Sequence, residues 1–190
     1  MAYSLGFNPS PKLSLGVALP LFVRSKGEIM DIELYEDISP DDLMKKLNDS
    51  LHADCRILQA KKMPDKHEAI EIEARWASYS ATLPKKYLKK NEIDDIIKSV
   101  LEKNEIFIER TNKKGLKKQI NIRKSIESVN AEETNDMIIM KFVLKATNSN
   151  SENENIPILR ADDFINLIFP NMPWDITRLE LLDADKTSLL

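Results

Sequence analysis

Ser14-Leu-Gly-Val-Ala-Leu-Pro-Leu-Phe-Val23, Arg24-Ser-Lys-Gly27 and Glu28-Ile-Met-Asp-Ile-Glu-Leu34 follow one another without a break and set the reading of the fold. The Leu- and Val-rich opening has the composition of a buried strand. Arg24–Gly27 is polar and ends in a residue that tolerates positive φ, which is turn chemistry. From Glu28 onward Met30, Ile32 and Leu34 alternate with Asp31 and Glu33, so one face is apolar. The three pieces read as a hairpin. Ser39 then caps a helix: Pro40 takes its first position and Asp41-Asp42 sit where the helix dipole favours anions. The helix runs to about Leu51 with Leu43, Met44, Leu47 and Leu51 on one stripe, and a strand follows from Cys55 to Lys61, with Cys55 as a buried small hydrophobe. Strand, strand, helix, strand is the end of the β-α-β-β-α-β order of a ferredoxin-like, split βαβ domain. Its first strand and helix have no counterpart, because Met1–Pro11 is too short and too rich in Pro and Gly.

A second round begins after Pro64-Asp-Lys-His67. Ile70, Ile72, Ala74 and Trp76 alternate within a strand spanning 69–83, and Asn91 caps a helix from Glu92 to Lys103 with Ile93, Ile96, Ile97, Val100 and Leu101 inward. Ile106–Arg110 and Gln119–Arg123 read as strands around an Asn112–Gly115 turn. Met137–Ala146 is an apolar strand, 148–155 a Ser/Asn/Glu-rich loop, Ala161–Phe169 a short helix ended by Pro170, and Asp175–Leu182 a last strand. The expectation is an α+β protein of two ferredoxin-like units in tandem: a partial domain at 1–63, a linker at 64–68, and a second domain at 69–190 with one extra strand.

Composition narrows the chemistry. The 190 residues are 42% hydrophobic and 31% charged, with 28 Lys+Arg against 31 Asp+Glu, the profile of a soluble globular protein. No apolar run reaches the length of a membrane span, and no secretory signal follows Met1. A single cysteine excludes an intramolecular disulfide and fits a reducing, cytoplasmic compartment. It also excludes a cysteine-ligated iron–sulfur cluster, and His52, His67 and Cys55 are too few for a His/Cys zinc site. The four glycines are too scattered for GxGxxG or a P-loop. No cofactor or metal site is expected. His52 and His67 stand without a nucleophile, Asp41-Asp42 and Asp162-Asp163 are explained by helix starts, and Trp76 and Trp174 suit the core.

Charge is segregated. Lys103–Lys124 holds eight basic residues and two acidic ones, whereas 125–190 holds five basic and twelve acidic. A tip carrying Lys113, Lys114, Lys117 and Lys118, flanked by Arg110 and Arg123, suits RNA phosphates. A lysine-rich turn also protects an edge strand from aggregation, so both readings stand. Lys85, Lys86, Lys89 and Lys90 around Tyr87 either extend this surface or form a solvated loop.

Ala2-Tyr-Ser-Leu-Gly-Phe-Asn-Pro-Ser-Pro-Lys-Leu-Ser14, with Ala18-Leu-Pro-Leu21 and Gly27-Glu28, resembles a radical-SAM-linked bacterial domain family of unknown function. Its motif falls on Tyr3, Ser4, Gly6, Phe7, Asn8, Pro9 and Lys12. Arg110, Lys113-Lys114-Gly115, Lys117 and Asn121-Ile122-Arg123 are similar to a basic stretch of that family, with Asn121 where Asp is usual and Lys124 where Pro is usual. The resemblance implies a strand and a helix ahead of Tyr3, so Met1 is expected to be an internal methionine or the chain a truncated one. It also implies a radical SAM protein as partner and a setting in RNA maturation or modification. The expected function is a non-catalytic accessory domain that binds RNA through the basic hairpin. The alternatives are a pure protein–protein interaction module, or an RNA-modifying or RNA-cleaving enzyme drawing on Tyr3, Ser4, Asn8, Arg110, Lys117 and Arg123.

Overall fold

A computed structural model describes residues 1–64, 67–111, 114–147 and 156–189. In chain order the elements are β1 (Leu13–Leu15), β2 (Val23–Ser25), β3 (Met30–Ile32), α1 (Pro40–Ser50), α2 (Ile70–Glu73), β4 (Trp76–Pro84) and α3 (Lys90–Leu101). Then come β5 (Phe107–Thr111), β6 (Lys117–Asn121), a 3-10 turn (Arg123–Ser125), β7 (Ile126–Glu133), β8 (Met137–Lys145), α4 (Ala161–Ile168) and β9 (Asp175–Leu182). The protein is α+β, and no helix among the described residues is long and apolar enough to cross a membrane.

The chain divides into two compact units, one of Met1–Ser14 with Met30–Ala69, the other of Leu15–Ile29 with Ile70–Leu190. In the first unit Ala2 is the one buried hydrophobic residue among those described, and α1 buries none. The start of α1 follows its sequence: Ser39 Oγ accepts from Asp42 N (3.1 Å), with Pro40 in the first turn. The strand expected at Cys55–Lys61 does not form, and Cys55 is exposed. The Asn48 amide meets the Ile57 main chain instead, accepting from its N–H (2.8 Å) and donating to its carbonyl (3.0 Å), as a neighbouring strand would.

The hairpin expected over Ser14–Leu34 closes only at its base. β1 pairs with β3, and Gly16 N donates to Ile29 O (2.9 Å). A Cβ at Gly16 would lie 3.0 Å from Leu181 Cδ1 and 3.2 Å from Ile29 O, a tight fit that glycine relieves. Beyond it the chain leaves the pairing, and β2 runs parallel to β9 with Val23 opposite Ile176 and Ser25 opposite Arg178.

The second unit is built on a five-stranded sheet of order β2-β9-β4-β8-β7, antiparallel except for β2 with β9. β4 covers only the second half of the expected strand, and its alternation has the opposite parity to Ile70, Ile72, Ala74 and Trp76: Ala77, Tyr79, Ala81 and Leu83 are buried, facing Leu144, Phe142, Met140 and Ile138 of β8 in register. Ala77 and Ala81 oppose the larger Leu144 and Met140, while Tyr79 and Leu83 oppose Phe142 and Ile138. Tyr79 stacks on Phe142 at 5.4 Å, and Phe142 meets Phe164 of α4 at 5.2 Å. Ile93, Ile97 and Val100 of α3 and Phe164 and Ile165 of α4 complete the core.

Two expected elements are corrected here. Residues 70–73 form a helical turn rather than strand, closed by Ala74 N donating to Ile70 O (3.0 Å). β7 is an additional strand that alternation did not reveal, because only Ile126 and Val129 of Ile-Glu-Ser-Val-Asn-Ala-Glu-Glu are buried and a register shift separates them. Conversely β5 and β6 stand as a separate two-stranded sheet outside the main one.

Arg178 is fully buried on β9. Its Nη2 donates to Val17 O (2.8 Å) and to the Glu28 carboxylate, and its own carbonyl accepts from Lys26 N (3.0 Å). Burial pushes the Tyr79 phenol up from its ordinary value, while the neighbouring Arg178 guanidinium pulls it down. Glu28→Ala leaves the buried guanidinium uncompensated and should cost about 2–3 kcal/mol in urea unfolding, below a fully buried pair because Glu28 is half-exposed. In alkaline titration Tyr79 should ionise after the other tyrosines, and Tyr79→Phe should delete that late phase. Because the folded-state value is the raised one, the associated stability is complete below the ordinary tyrosine value and is lost as pH rises past it.

Candidate functional site

The basic segment is a regular hairpin. Phe107, Ile108, Glu109, Arg110 and Thr111 face Asn121, Ile120, Gln119, Lys118 and Lys117. Side chains alternate between faces. Ile108 and Ile120 lie on the face that packs against the core, and Arg110 and Lys118 continue that face directly opposite each other. The other face carries Phe107, half-exposed, with Glu109 and Lys117, whose side chains pair at 2.8 Å. Gly115 turns the chain at φ 79°, and Lys114, Lys117 and Lys118 are exposed. Lys113 lies outside the described residues.

The two arginines differ from the lysines. Arg110 Nη2 donates to Ile158 O (2.6 Å) and lies 3.9 Å from Asp163. Arg123 reaches three main-chain carbonyls: Nε to Lys103 O (3.1 Å), Nη2 to Leu101 O (3.0 Å) and Nη1 to Ile126 O (3.2 Å). Two of these belong to the end of α3 and the residues after it, where carbonyls lack helical donors and a cation is favoured. Asn121 Oδ1 accepts from Ile106 N (3.2 Å) and Arg123 N (3.0 Å), a task an aspartate oxygen performs equally well. In the second lysine cluster Lys85 pairs with Glu133 (3.3 Å), Lys90 with Asp94 (2.5 Å), and Lys86 sits 5.1 Å from the Tyr87 ring centre.

The amino-terminal motif makes a clipped loop. Ala2 N donates to Glu33 O (2.7 Å), Lys12 N to Ala2 O (2.8 Å) and Ser4 N to Ser10 O (2.8 Å), and the Ser4 hydroxyl accepts from Ser10 N (3.0 Å). Tyr3 N donates to the Tyr35 hydroxyl (3.0 Å), and Lys12 Nζ pairs with Glu33 (2.8 Å). Gly6 has φ 146°, a value side chains rarely adopt. Leu5 is 100% and Phe7 99% exposed, while Asn8 and Pro9 are exposed beside them.

The remaining candidates are scattered. His52 lies 3.5 Å from Asp54, and His67 lies 3.6 Å from Asp31 with its Nδ1 2.9 Å from Pro64 O. Trp76 is buried under Lys145, and Trp174 packs on Phe169 at 5.2 Å. Among the described residues no group of three His, Cys, Asp or Glu could hold a metal ion. The buried cluster of Arg178, Tyr79 and Glu28 was not singled out from sequence. Its one available signal was an arginine at the buried parity of Asp175–Leu182.

The fold is thus an α+β domain whose basic residues gather on a two-stranded hairpin. The chain belongs to the family described as "Uncharacterized protein conserved in bacteria (DUF2344)", whose model matches residues 1–155 and so spans both the clipped loop and the hairpin. No curated protein and no solved structure matches it.

Arg123→Ala should lower stability by about 1–3 kcal/mol by leaving helix-end carbonyls without a donor. Asn121→Asp, which keeps the accepting oxygen but turns the long amide contact to Glu105 (3.5 Å) into carboxylate against carboxylate, should cost less than Asn121→Ala, which loses both. Urea unfolding of the three variants checks the ranking.

Proposed function

We propose that the chain is a non-catalytic accessory domain that works with a radical SAM protein in the cytoplasm and holds RNA through the β5–β6 hairpin. One observation carries the RNA half: Arg110 and Lys118 are directly opposite on one face of the hairpin. Like charges facing across strands destabilise a sheet; Arg110 has Asp163 at 3.9 Å and the Ile158 carbonyl to offset part of that cost, which leaves Lys118 as the charge a further anion would serve. An anion between or beyond them removes the penalty. Lys114 adds an exposed charge at the tip, while the half-exposed Phe107 ring and Lys117, paired with Glu109, lie on the opposite face of the hairpin, where a base can stack on the ring. Arg110 positions its charge from a main-chain anchor, and Arg123 supports the hairpin base rather than reaching for phosphate.

The radical SAM partner rests on the resemblance of the amino-terminal motif. The strand order β9-β4-β8-β7, linked as β-α-β-β-α-β through α3 and α4, supports reading the second unit as a ferredoxin-like domain with an inserted hairpin. A second reading, a protein–protein module without RNA, is favoured by the full exposure of Leu5 and Phe7 on their pinned loop.

Fluorescence anisotropy with a labelled single-stranded RNA over a salt series separates the two. Lys117→Glu with Lys118→Glu should weaken binding by tenfold or more and flatten the log–log salt slope by about 1.4, the loss of two phosphate contacts on a single strand. Equal affinity of the double variant and the parent chain removes the hairpin as an RNA site and leaves the protein-interaction reading.

A further inference from the structure

β7 is the last strand of its sheet, and among the described residues no strand pairs with its outer edge. The ladder fixes which groups point outward. Thr134 N donates to Met137 O (2.9 Å) at the hairpin end. Hydrogen-bonded pairs therefore recur at Glu132 with Ile139, Asn130 with Lys141 and Ser128 with Val143. The N–H and C=O groups of Val129, Ala131 and Glu133 then face away from β8. The opposite side of β8 agrees, since Pro84, which has no N–H, lies opposite Met137.

Val129 and Ala131 also sit at the lip of an open cleft of about 470 Å³ between β7 and α3. Ile97 and Leu101 form its apolar wall, and Asp94, Lys98 and Glu102 stand on its rim, Lys98 lying 3.9 Å from Glu102. A strand laid along the edge of β7 bonds to the main chain of Val129 and Ala131. The residues it places opposite them share their side of the sheet, so every second side chain enters the cleft over Ile97 and Leu101.

We propose that β7 and this cleft receive an extended segment of a partner protein by strand addition, a segment in which apolar residues alternate with basic ones. The apolar positions match the cleft, and the basic ones fall on the other face of β7, where Glu132 stands; β7 also carries Glu127 and Glu133, the latter on the face of Val129 and Ala131, and no cation. These glutamates pair with Lys186 (2.8 Å), Lys141 (2.7 Å) and Lys85 (3.3 Å), contacts exposed enough to exchange for an incoming cation. A second copy is the poorer occupant, because β7 laid antiparallel on β7 brings glutamates against glutamates. The site is separate from the basic hairpin and does not depend on RNA binding.

The test is amide NMR of the full chain titrated with an acetylated octapeptide alternating Lys with Val or Leu. A peptide of equal composition with the residues in blocks is the control. The alternating peptide should give saturable shifts and slowed exchange at Val129, Ala131 and Glu133, with side-chain shifts at Ile97 and Leu101. Ala131→Pro removes one outward donor at a position where an edge strand tolerates proline, and should weaken binding about tenfold. Should that variant lose its fold, Leu101→Lys tests the cleft wall on the same readout with the same expected loss. Three results overturn the proposal: no shift at β7 with peptide near 1 mM or about tenfold beyond, equal binding of the two peptides, or protein-concentration-dependent shifts at β7 without peptide, which assign the edge to a second copy.

Discussion

The buried guanidinium of Arg178 constrains the second unit more than any other group. A charge removed from water is tolerated only where it is paired and hydrogen-bonded, and Arg178 is fully buried. Its partners, Val17 O and the Glu28 carboxylate, come from the two sides of one excursion of the chain. Residues 15–29 must therefore lie across β9, and β2 becomes the fifth strand of the sheet by parallel pairing. The hairpin suggested by Ser14–Leu34 cannot zip along its whole length while Glu28 and Val17 serve this cation. Tyr79 stands opposite Arg178 in register and stacks on Phe142, so the same pairing joins the polar cluster to the aromatic core under α4.

What could be read from the sequence follows from how local each signal is. Ser39-Pro-Asp-Asp needs only its own four residues to start a helix, and α1 begins where they say. Met137–Lys145 and Asp175–Leu182 are long, apolar and bounded, and both are strands. β7 was illegible for the opposite reason: as an edge strand it buries one side chain in three or four and displaces the alternation at its register shift. Cys55–Lys61 has strand composition but no neighbour, since the Asn48 side chain takes the Ile57 main chain. Around the candidate site, the two strands of the basic hairpin were legible to within two residues. The division of labour within it was hidden, because which cation is tied to a carbonyl depends on Leu101, Lys103 and Ile158, residues distant in the chain from their arginines.

That division separates two kinds of positive charge. Arg123 spends its donors on three carbonyls and so holds the 3-10 turn, the end of α3 and the base of the hairpin in one arrangement. Such a role asks for a planar, five-donor cation that no lysine replaces. Lys117 and Lys118 are flexible point charges near the tip, suited to phosphates whose positions vary along a chain. Rigid support at the base and mobile charge at the tip follow from the different chemistry of the two side chains.

The two edges of the main sheet are managed differently, and this bears on which surface is open to a partner. β2 is three residues long and is pinned by Arg178 and by Lys26 N on the Arg178 carbonyl, so it offers little main chain to a further strand. β7 is eight residues long and shielded chiefly by glutamates, each neutralised by an exposed lysine of the same unit. Glutamate on an edge repels another acidic edge and attracts a basic one. On the strand-addition proposal, selectivity comes only as these ion pairs exchange: a basic strand releases the lysines into water and keeps the glutamates paired, whereas a second acidic edge offers them no partner.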